Sequence, residues 1–434
     1  MKPGTKTVCI DAMNIALAKG SGIATYGRNL LANLNAMEMR TQILYGPNAA
    51  ISKRPILNEI ALTDAYTPRV KPLKRLWEAT TARFGRPAKG IVPTDEVIWP
   101  AKGGGRPAVE SFWSSPRLYA LAGQTFGQAK IFTPVDFRSH ASVARPDIMH
   151  WTTVMPLRAR GVANVYTIHD LIPLRLPHTT LDNKRVFMRQ CREIARHADH
   201  IAAVSETTRQ DIIRLLGVSP DRVTTTYQSV GVPARLLART DEELAPEIES
   251  VFRVPWKGYF LYFGAIEPKK NLGRIVEAYL ASGATQPLIV VGGRAWLDED
   301  ETALMHQARK NKKVRNKKIM LWEYLPFSML VSLIRGARGT IFPSLYEGFG
   351  LPVLESMSLG TPVITSTGGS LPEVAGDASL CVDPYDVTAL TREIRRLASD
   401  DDLAADLSAR GRIQAAKFSP EAYQVRLADM YAKL

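Results

Sequence analysis

The chain has 434 residues, enough for two or three domains with their own apolar cores, and at 45% hydrophobic and 23% charged it has the composition of an ordinary folded protein. No apolar run approaches the roughly 18 residues of a membrane span, and the three cysteines, Cys9, Cys191 and Cys381, form no Cys-x-x-Cys pair and no zinc spacing, which fits a reducing compartment. The formal charge of +14 lies in the first half, where residues 1–217 hold 30 basic and 16 acidic side chains, so an anionic partner is expected: a phosphate-bearing donor, a lipid surface or nucleic acid.

Lys2 and Lys6 ahead of Val8-Cys9-Ile10 look like the start of a signal peptide, but Asp11 and Asn14 interrupt the apolar run, and it reads better as a first strand. Gly20-Ser21-Gly22 follows that strand, and its glycines let backbone N–H groups approach an anion closely; ordinary turns share the pattern. Ile23 to Met37 has helical character. The stretch from Pro72 to His140 is hard to parse. It holds the basic residues Lys74, Arg75, Arg83, Arg86 and Lys89, the glycine triplet at 103–105, and Trp77, Trp99 and Trp113, and it is expected to be an irregular surface insertion. Asp147 to Trp151 is a further apolar run carrying His150. Asn164 to Ile168 reads as a strand that delivers His169 and Asp170. His200 to Val204 reads as another, with Ser205 as the N-cap of a helix from Glu206 to Leu216.

The acidic segment 240–249 suits an interdomain connection. A second α/β series then begins at Tyr259–Gly264 and continues through Leu288–Gly293. The recurrence of strand and helix predicts a mixed α/β protein of two Rossmann-like domains facing across a cleft: residues 1–240 with the insertion near 72–140, then 255–415, and a helix over 416–434 packing back on the first domain. In such folds functional residues sit at the carboxyl ends of strands. Lys270 lies after one such strand and can neutralise a diphosphate leaving group. A cluster from Arg309 to Lys318 adds charge without interleaved aromatics, which counts against single-stranded nucleic acid as the partner; a solvated face is its other reading.

Most informative is Phe342-Pro343-Ser344-Leu345-Tyr346-Glu347-Gly348-Phe349-Gly350-Leu351-Pro352-Val353-Leu354-Glu355. A buried strand ends in a glycine loop, and Pro352 suits the first turn of a helix because its fixed φ and missing N–H cost nothing there. The N–H groups of Gly350 and Leu351 and the helix dipole make an anion site, and Glu355, one turn in, reaches a polar group beside it. A carboxylate so near a phosphate would repel it, so Glu347 is expected to accept hydrogen bonds from hydroxyls of a neutral moiety. An anion plus a polyol suggests a sugar nucleotide.

The string PSLYEGFGLPVLESMSLGTPVI, its Glu347-x7-Glu355 spacing and the following SLPEVAGDASLCVDP resemble the signature of retaining family-four glycosyltransferases of GT-B fold. The resemblance implies transfer of a sugar from a GDP- or UDP-linked donor to a glycan or lipid-linked acceptor, with retention, in polysaccharide synthesis. It implies a catalytic group of Glu347, His169 and Lys270. Donor contacts are implied at Gly22, Lys270, Phe349, Gly350, Leu351 and Glu355, and sugar or acceptor contacts at Asp170 and Ser21; His150, by its place at the end of an apolar run, is a further candidate for such a contact. His169 is expected to donate to a sugar hydroxyl, with Asp170 fixing its tautomer or touching the acceptor. Where many members carry an arginine after the glycine of the Lys270 element, this chain has Ala265, and Lys269 or Arg294 is expected to stand in. Trp322 to Pro326 resembles the segment near the nucleotide base. From Pro72 to His140 the chain shows no resemblance to the family.

No metal and no cofactor are expected, since basic side chains and amides can neutralise a diphosphate. A cytoplasmic enzyme touching the inner face of the membrane through electrostatics is expected, with no nucleic-acid partner. The alternatives are a nucleotide-sugar epimerase of the same fold, a phosphorylase, for which the chain is too short, and a non-enzymatic basic protein binding membrane or nucleic acid.

Overall fold

The computed structural model describes residues 6–15, 22–64, 77–78, 80–100, 105–293, 299–310 and 319–434. Ten strands form the first sheet: β1 (Thr7–Asp11), β2 (Arg40–Tyr45), β3 (Arg86–Ile91), β4 (Ser111–Ser114), β5 (Thr133–Phe137), β6 (Ile148–Trp151), β7 (Leu157–Ala159), β8 (Ala163–Ile168), β9 (His200–Ala203) and β10 (Val223–Thr225). Their order is β10-β9-β8-β6-β1-β2-β4-β3-β5-β7, parallel except where β3 meets β4. Six parallel strands form the second: β11 (Phe260–Phe263), β12 (Leu288–Val291), β13 (Ile319–Trp322), β14 (Gly339–Phe342), β15 (Val363–Ser366) and β16 (Leu380–Val382), ordered β13-β12-β11-β14-β15-β16. Strands such as Phe260-Leu261-Tyr262-Phe263 are buried throughout because helices cover both faces, which is why they read as unbroken apolar runs.

Each sheet has a switch point where successive strands go to opposite sides, β1 beside β6 in the first and β11 beside β14 in the second. Loops leaving such a pair diverge to the two faces and open a crevice at the carboxyl ends. The segments after β11 and β14 carry Lys270 and Glu347, and those after β1 and β6 begin at Ala12 and Thr152.

One expectation is corrected. The stretch near 72–140 is not an irregular insertion, because residues 86–137 supply β3, β4, β5 and the helix Leu118–Ala129. Arg86-Pro87-Ala88-Lys89-Gly90-Ile91 lacks the β-branched alternation of an ordinary strand, so sequence pattern could not reveal it. Trp113 is fully buried, Trp99 stacks on Phe112 at 5.2 Å, and Trp77 is exposed; Lys74, Arg75, Gly103 and Gly104 lie outside the described residues. The acidic segment 240–249, read as suited to an interdomain connection, is helical. Thr240 and Glu243 form a reciprocal capping box for the helix Asp241–Phe252, and Leu244, Ile248 and Phe252, four apart, bury one face. Phe252 meets Trp322 of the second sheet edge-on at 5.2 Å.

The chain crosses back at Phe418, and the helix Pro420–Tyr431, capped by Ser419, packs on the first domain. Gln424 donates to Asn33 at 3.0 Å, and Lys6 donates to the Tyr431 carbonyl at 3.1 Å. The Tyr431 hydroxyl lies 2.5 Å from His150 Nδ1, whose Nε2 is 2.8 Å from Thr167 Oγ1. Among the described residues no helix is long and apolar enough to cross a membrane. Tyr431→Phe leaves the His150 ring nitrogen buried without its partner, and a loss of about 1–3 kcal/mol is expected in urea denaturation with the far-UV spectrum unchanged.

Candidate active site

The loop that follows β14 is held by its own backbone. Glu347 pairs with Gly369 in an isolated parallel bridge, and the Ser370 hydroxyl contacts the carbonyls of Glu347 (3.1 Å) and Phe349 (2.8 Å). Gly350 has φ +105° and caps the helix Leu351–Ser358, with Pro352 in its first turn. Asn271, itself left-handed at φ +65°, donates to the carbonyls of Pro343 (2.9 Å) and Pro384 (2.7 Å), and Leu345 N–H donates to Lys269 O at 2.7 Å. These bonds lock the Lys270 turn to the Glu347 loop. Lys270 Nζ then lies 2.5 Å from Glu347 Oε1.

Burial pushes the Glu347 carboxyl upward, but Lys270 and Lys269 outweigh it and hold the group below its ordinary range. Lys269 Nζ also pairs with Glu267 at 3.4 Å; burial acts to lower its pKa, and Glu347, Asp170 and Glu267 together raise it. Glu355 is different. Burial lifts it to about 7, with Lys270 only partly opposing, so the carboxyl is far more readily protonated than an ordinary glutamate.

The first domain meets this loop directly. A Cβ on Gly348 would stand 2.1 Å from the His169 carbonyl oxygen and 2.8 Å from Asp170 Cβ, so only glycine allows the approach. Thr208 Oγ1 bridges the same two segments, donating between the carbonyls of His169 (3.3 Å) and Gly348 (3.2 Å). Ser205 caps the helix Glu206–Leu216 as expected, and Glu373 of the second domain accepts from the N–H groups of Glu206 (2.6 Å) and Thr207 (3.2 Å) at the same helix end. Gly22 approaches Leu351 across the cleft, where a Cβ added to the glycine would stand 4.0 Å from Leu351 Cδ1. A cavity of about 290 Å³ beside it is lined by Thr25, Arg28, Asn29, Phe327, Leu351 and Glu355.

His169 is oriented by groups that sequence reasoning missed. Its Nε2 donates to the Thr152 carbonyl at 2.9 Å, and Tyr26 meets its ring edge-on at 4.8 Å. Burial holds the imidazole below its usual pKa, so it is neutral, and with the proton on Nε2 the remaining nitrogen, Nδ1, is an acceptor. The expectation that His169 donates to a sugar hydroxyl is therefore reversed. The expectation that Asp170 fixes its tautomer also fails, because Asp170 Oδ1 accepts from Ile172 N–H at 3.0 Å and starts the next helical turn.

His150 does not reach the cleft. It is fully buried with both nitrogens bonded, and burial lowers its pKa to about 3. The Phe349 side chain turns away too, packing on Phe418 (5.7 Å) and Tyr227 (6.4 Å), which leaves only its backbone toward the loop. Trp322 is packed on Phe252, whereas Tyr324 and Phe327 are exposed beyond it. Gly20, Ser21, Arg294 and Lys312 to Lys318 lie outside the described residues, as do the side chains of Arg309 and Lys310. Asp11, Thr152 and Tyr26 carried no motif, and the one available signal was the placement of Asp11 at the end of the first strand; Glu373 lies inside the string SLPEVAGDASLCVDP, which gave no hint of its reach to the first domain.

Residues 248–414 match the family model described as glycosyl transferases group 1, and residues 96–231 match that of glycosyltransferase family 4. The second match begins well inside the region 72–140, where the sequence motifs show no resemblance. The O-antigen chain mannosyltransferase B of Escherichia coli is 34% identical over 275 residues, covering 62% of this chain and 70% of that protein. The serotype-specific mannosyltransferase WbdA of E. coli is 29% identical over 260 residues, 59% of this chain but only 31% of its own length. Sucrose-phosphate synthase from Thermosynechococcus elongatus and the Anabaena protein HepE in complex with UDP and glucose each superpose with a TM-score of 0.66. They are 16% and 13% identical, cover 99% of this chain, and are themselves covered to 98% and 100%. The chain belongs to the family-four, group 1 glycosyltransferases, with the two-domain GT-B fold. Membership sets aside the epimerase and the non-enzymatic basic binder.

Carbon-13 NMR of side-chain carboxyls, with Glu355→Gln identifying the signal, is expected to show Glu355 titrating near 7 in donor-free protein. Its raised value means that the neutral form is favoured by folding, so this group contributes more to stability below pH 7 than above it. Lys270→Met removes the cation that opposes the shift and is expected to move the midpoint higher.

Proposed function

We propose that the chain is a retaining glycosyltransferase that moves a hexose from a nucleoside diphosphate donor to a hydroxyl of a glycan or lipid-linked acceptor in polysaccharide synthesis. The observation that carries this reading is the pairing of Lys270 with Glu347 at a switch-point crevice, beside the N-terminus of the helix Leu351–Ser358. Mannose is the sugar favoured by the names of the relatives, and a GDP- or UDP-linked donor is the expected form.

In this reading the bond between the anomeric carbon and the diphosphate oxygen breaks while the acceptor oxygen attacks the same face and passes its proton to the departing diphosphate oxygen. Charge develops on the leaving diphosphate. Lys270 and the N–H groups of Gly350 and Leu351 take it up, fixed in place before the reaction begins. Glu347, kept ionised by its two lysines, accepts hydrogen bonds from the sugar hydroxyls, and His169 Nδ1 accepts another. Glu355 accepts from the ribose, which favours its ionised form and so couples donor binding to loss of a proton. Lys269 supplies the second cation where Ala265 stands in place of the arginine of other members. Gly22 borders the donor phosphate, with Ser21 and Asp170 toward the acceptor.

A thermal-shift screen against GDP, UDP and ADP, followed by radiolabelled donor sugars of the stabilising base, tests the reading. One nucleotide is expected to raise the melting temperature, and transfer from its sugar conjugate is expected to fall about 100-fold in Lys270→Ala. No stabilisation by any nucleoside diphosphate, or near-normal transfer in that variant, would sink it.

The acceptor side of the enzyme is proposed to rest on the cytoplasmic face of an anionic membrane. On the helix Pro55–Thr63, Leu57 and Ile60 are exposed on one face with Lys53 and Arg54 beside them, a pattern of apolar contacts among cations that suits a lipid headgroup layer. Each cation near such a surface contributes about 1 kcal/mol. Sedimentation with anionic vesicles at low salt, abolished at high salt and absent with neutral vesicles, is the expected result; indifference to anionic vesicles would make a soluble acceptor the better reading.

A further inference from the structure

Asp11 is a carboxylate with no solvent contact and, among the described residues, no cation against it. It ends β1, at the switch point of the first sheet, where the chain turns toward the glycine loop. Its Oδ2 accepts from the Thr152 N–H at 2.5 Å, and its Oδ1 accepts from the Met13 N–H at 3.2 Å. One side chain thus holds two loops, the one leading from β1 and the one leaving β6. Burying a carboxylate without a cation is costly, and burial raises its pKa to about 6 despite the hydrogen bonds from Thr152 and Met13. Among the described residues the titratable groups around it are the neutral acids Cys9 on its own strand, Tyr26 on the helix Gly22–Ala36 and Tyr119 on the helix Leu118–Ala129, and, on the far side of Thr152, the neutral imidazole of His169. A strand end that needed only to be stable would be better served by a neutral side chain.

Thr152 is the link. Its N–H is held by Asp11, and its carbonyl receives the His169 Nε2 proton. The geometry points to Asp11 as a positioning residue that fixes the tautomer and orientation of His169 through the Thr152 backbone, leaving Nδ1 as an acceptor aimed at the donor sugar. The aim at the sugar rests on the proposed role of His169; the tautomer itself does not. Asp11 touches no substrate in this scheme. It acts as the second partner of a histidine does at many polar centres, except that the carboxylate speaks to the ring through a main-chain amide residue instead of directly.

Asp11→Asn keeps the size and one acceptor but presents an amide N–H to either Thr152 N–H or Met13 N–H, so one of the two loops loses its anchor. Nitrogen-15 NMR of histidine-labelled protein, assigned with His169→Gln, reads the tautomer with no substrate present. Wild type is expected to show the Nε2–H form, and Asp11→Asn a mixture with the Nδ1–H form. Transfer by the variant is expected to fall about 10-fold in kcat, with the donor KM within about two-fold, because the loss is one of alignment rather than ground-state binding.

The pH profile adds a reading that a merely structural carboxyl would not produce. A raised pKa means that this group contributes more to stability as pH falls through about 6. Wild-type kcat is expected to drop below that pH as the carboxyl gains a proton and loses an acceptor, while the melting temperature contribution of Asp11 moves the opposite way. Should Asp11→Asn fail to fold, the same titration in wild type decides, with the His169 tautomer signal expected to change at the midpoint of the kcat limb. An unaltered tautomer in Asp11→Asn, or a wild-type tautomer signal indifferent to pH between 5 and 8, would overturn the assignment. Absence of transfer from every donor sugar, with the tautomer shift present, would instead count against the glycosyl-transfer reading and leave the Asp11 linkage standing.

Discussion

Everything at this centre depends on keeping Glu347 charged in a place that penalises charge. An isolated carboxylate taken out of water would neutralise itself, and what prevents this is one lysine at 2.5 Å and a second nearby. The lysines are in turn placed by ordinary backbone bonds: Asn271 tied to Pro343 and Pro384, and the Lys269 carbonyl tied to Leu345. Coordination of the two loops is therefore a property of the second sheet's switch point and needs nothing from the other domain. Glu355, one turn along the neighbouring helix, shares the burial but little of the positive field, and it settles near neutrality. Two glutamates eight residues apart are given opposite protonation behaviour by environment alone.

The first domain contributes orientation and closure. Gly348 lets the loop backbone lie against the His169 carbonyl, Thr208 bridges the same gap, and Glu373 reaches over to occupy the end of the helix Glu206–Leu216. That last contact places a carboxylate from one domain on the positive helix end of the other, which is electrostatically favourable and geometrically exacting. Loops from both domains are thus held together by side chains that bond the main chain of the other domain.

Much of this was legible in the sequence, and the reasons for the rest are physical. Apolar runs such as Leu288–Val291 announce parallel strands because both faces are buried. The glycine loop and Pro352 announce a helix start because few other residues tolerate those backbone positions. What remained hidden was tertiary. β3, with Pro87, Lys89 and Gly90, is a strand by virtue of its neighbours β4 and β5. The His169 tautomer depends on a carbonyl seventeen residues away, and His150 looks like a cleft residue until the helix Pro420–Tyr431 is seen to cover it. Asp170 and Phe349 belong to recognisable motifs, yet one side chain starts a turn and the other fills an aromatic cluster.

The return of the helix Pro420–Tyr431 to the first domain has a consequence for biosynthesis. His150 and its hydroxyl partner are separated by 281 residues, so the first domain emerges from the ribosome with a polar hole in its core and an apolar groove where Tyr423, Leu427 and Met430 will lie. The intervening domain is made of contiguous chain and can finish folding while synthesis continues. Order of folding is thereby inverted relative to order of synthesis. The domain made first is completed last.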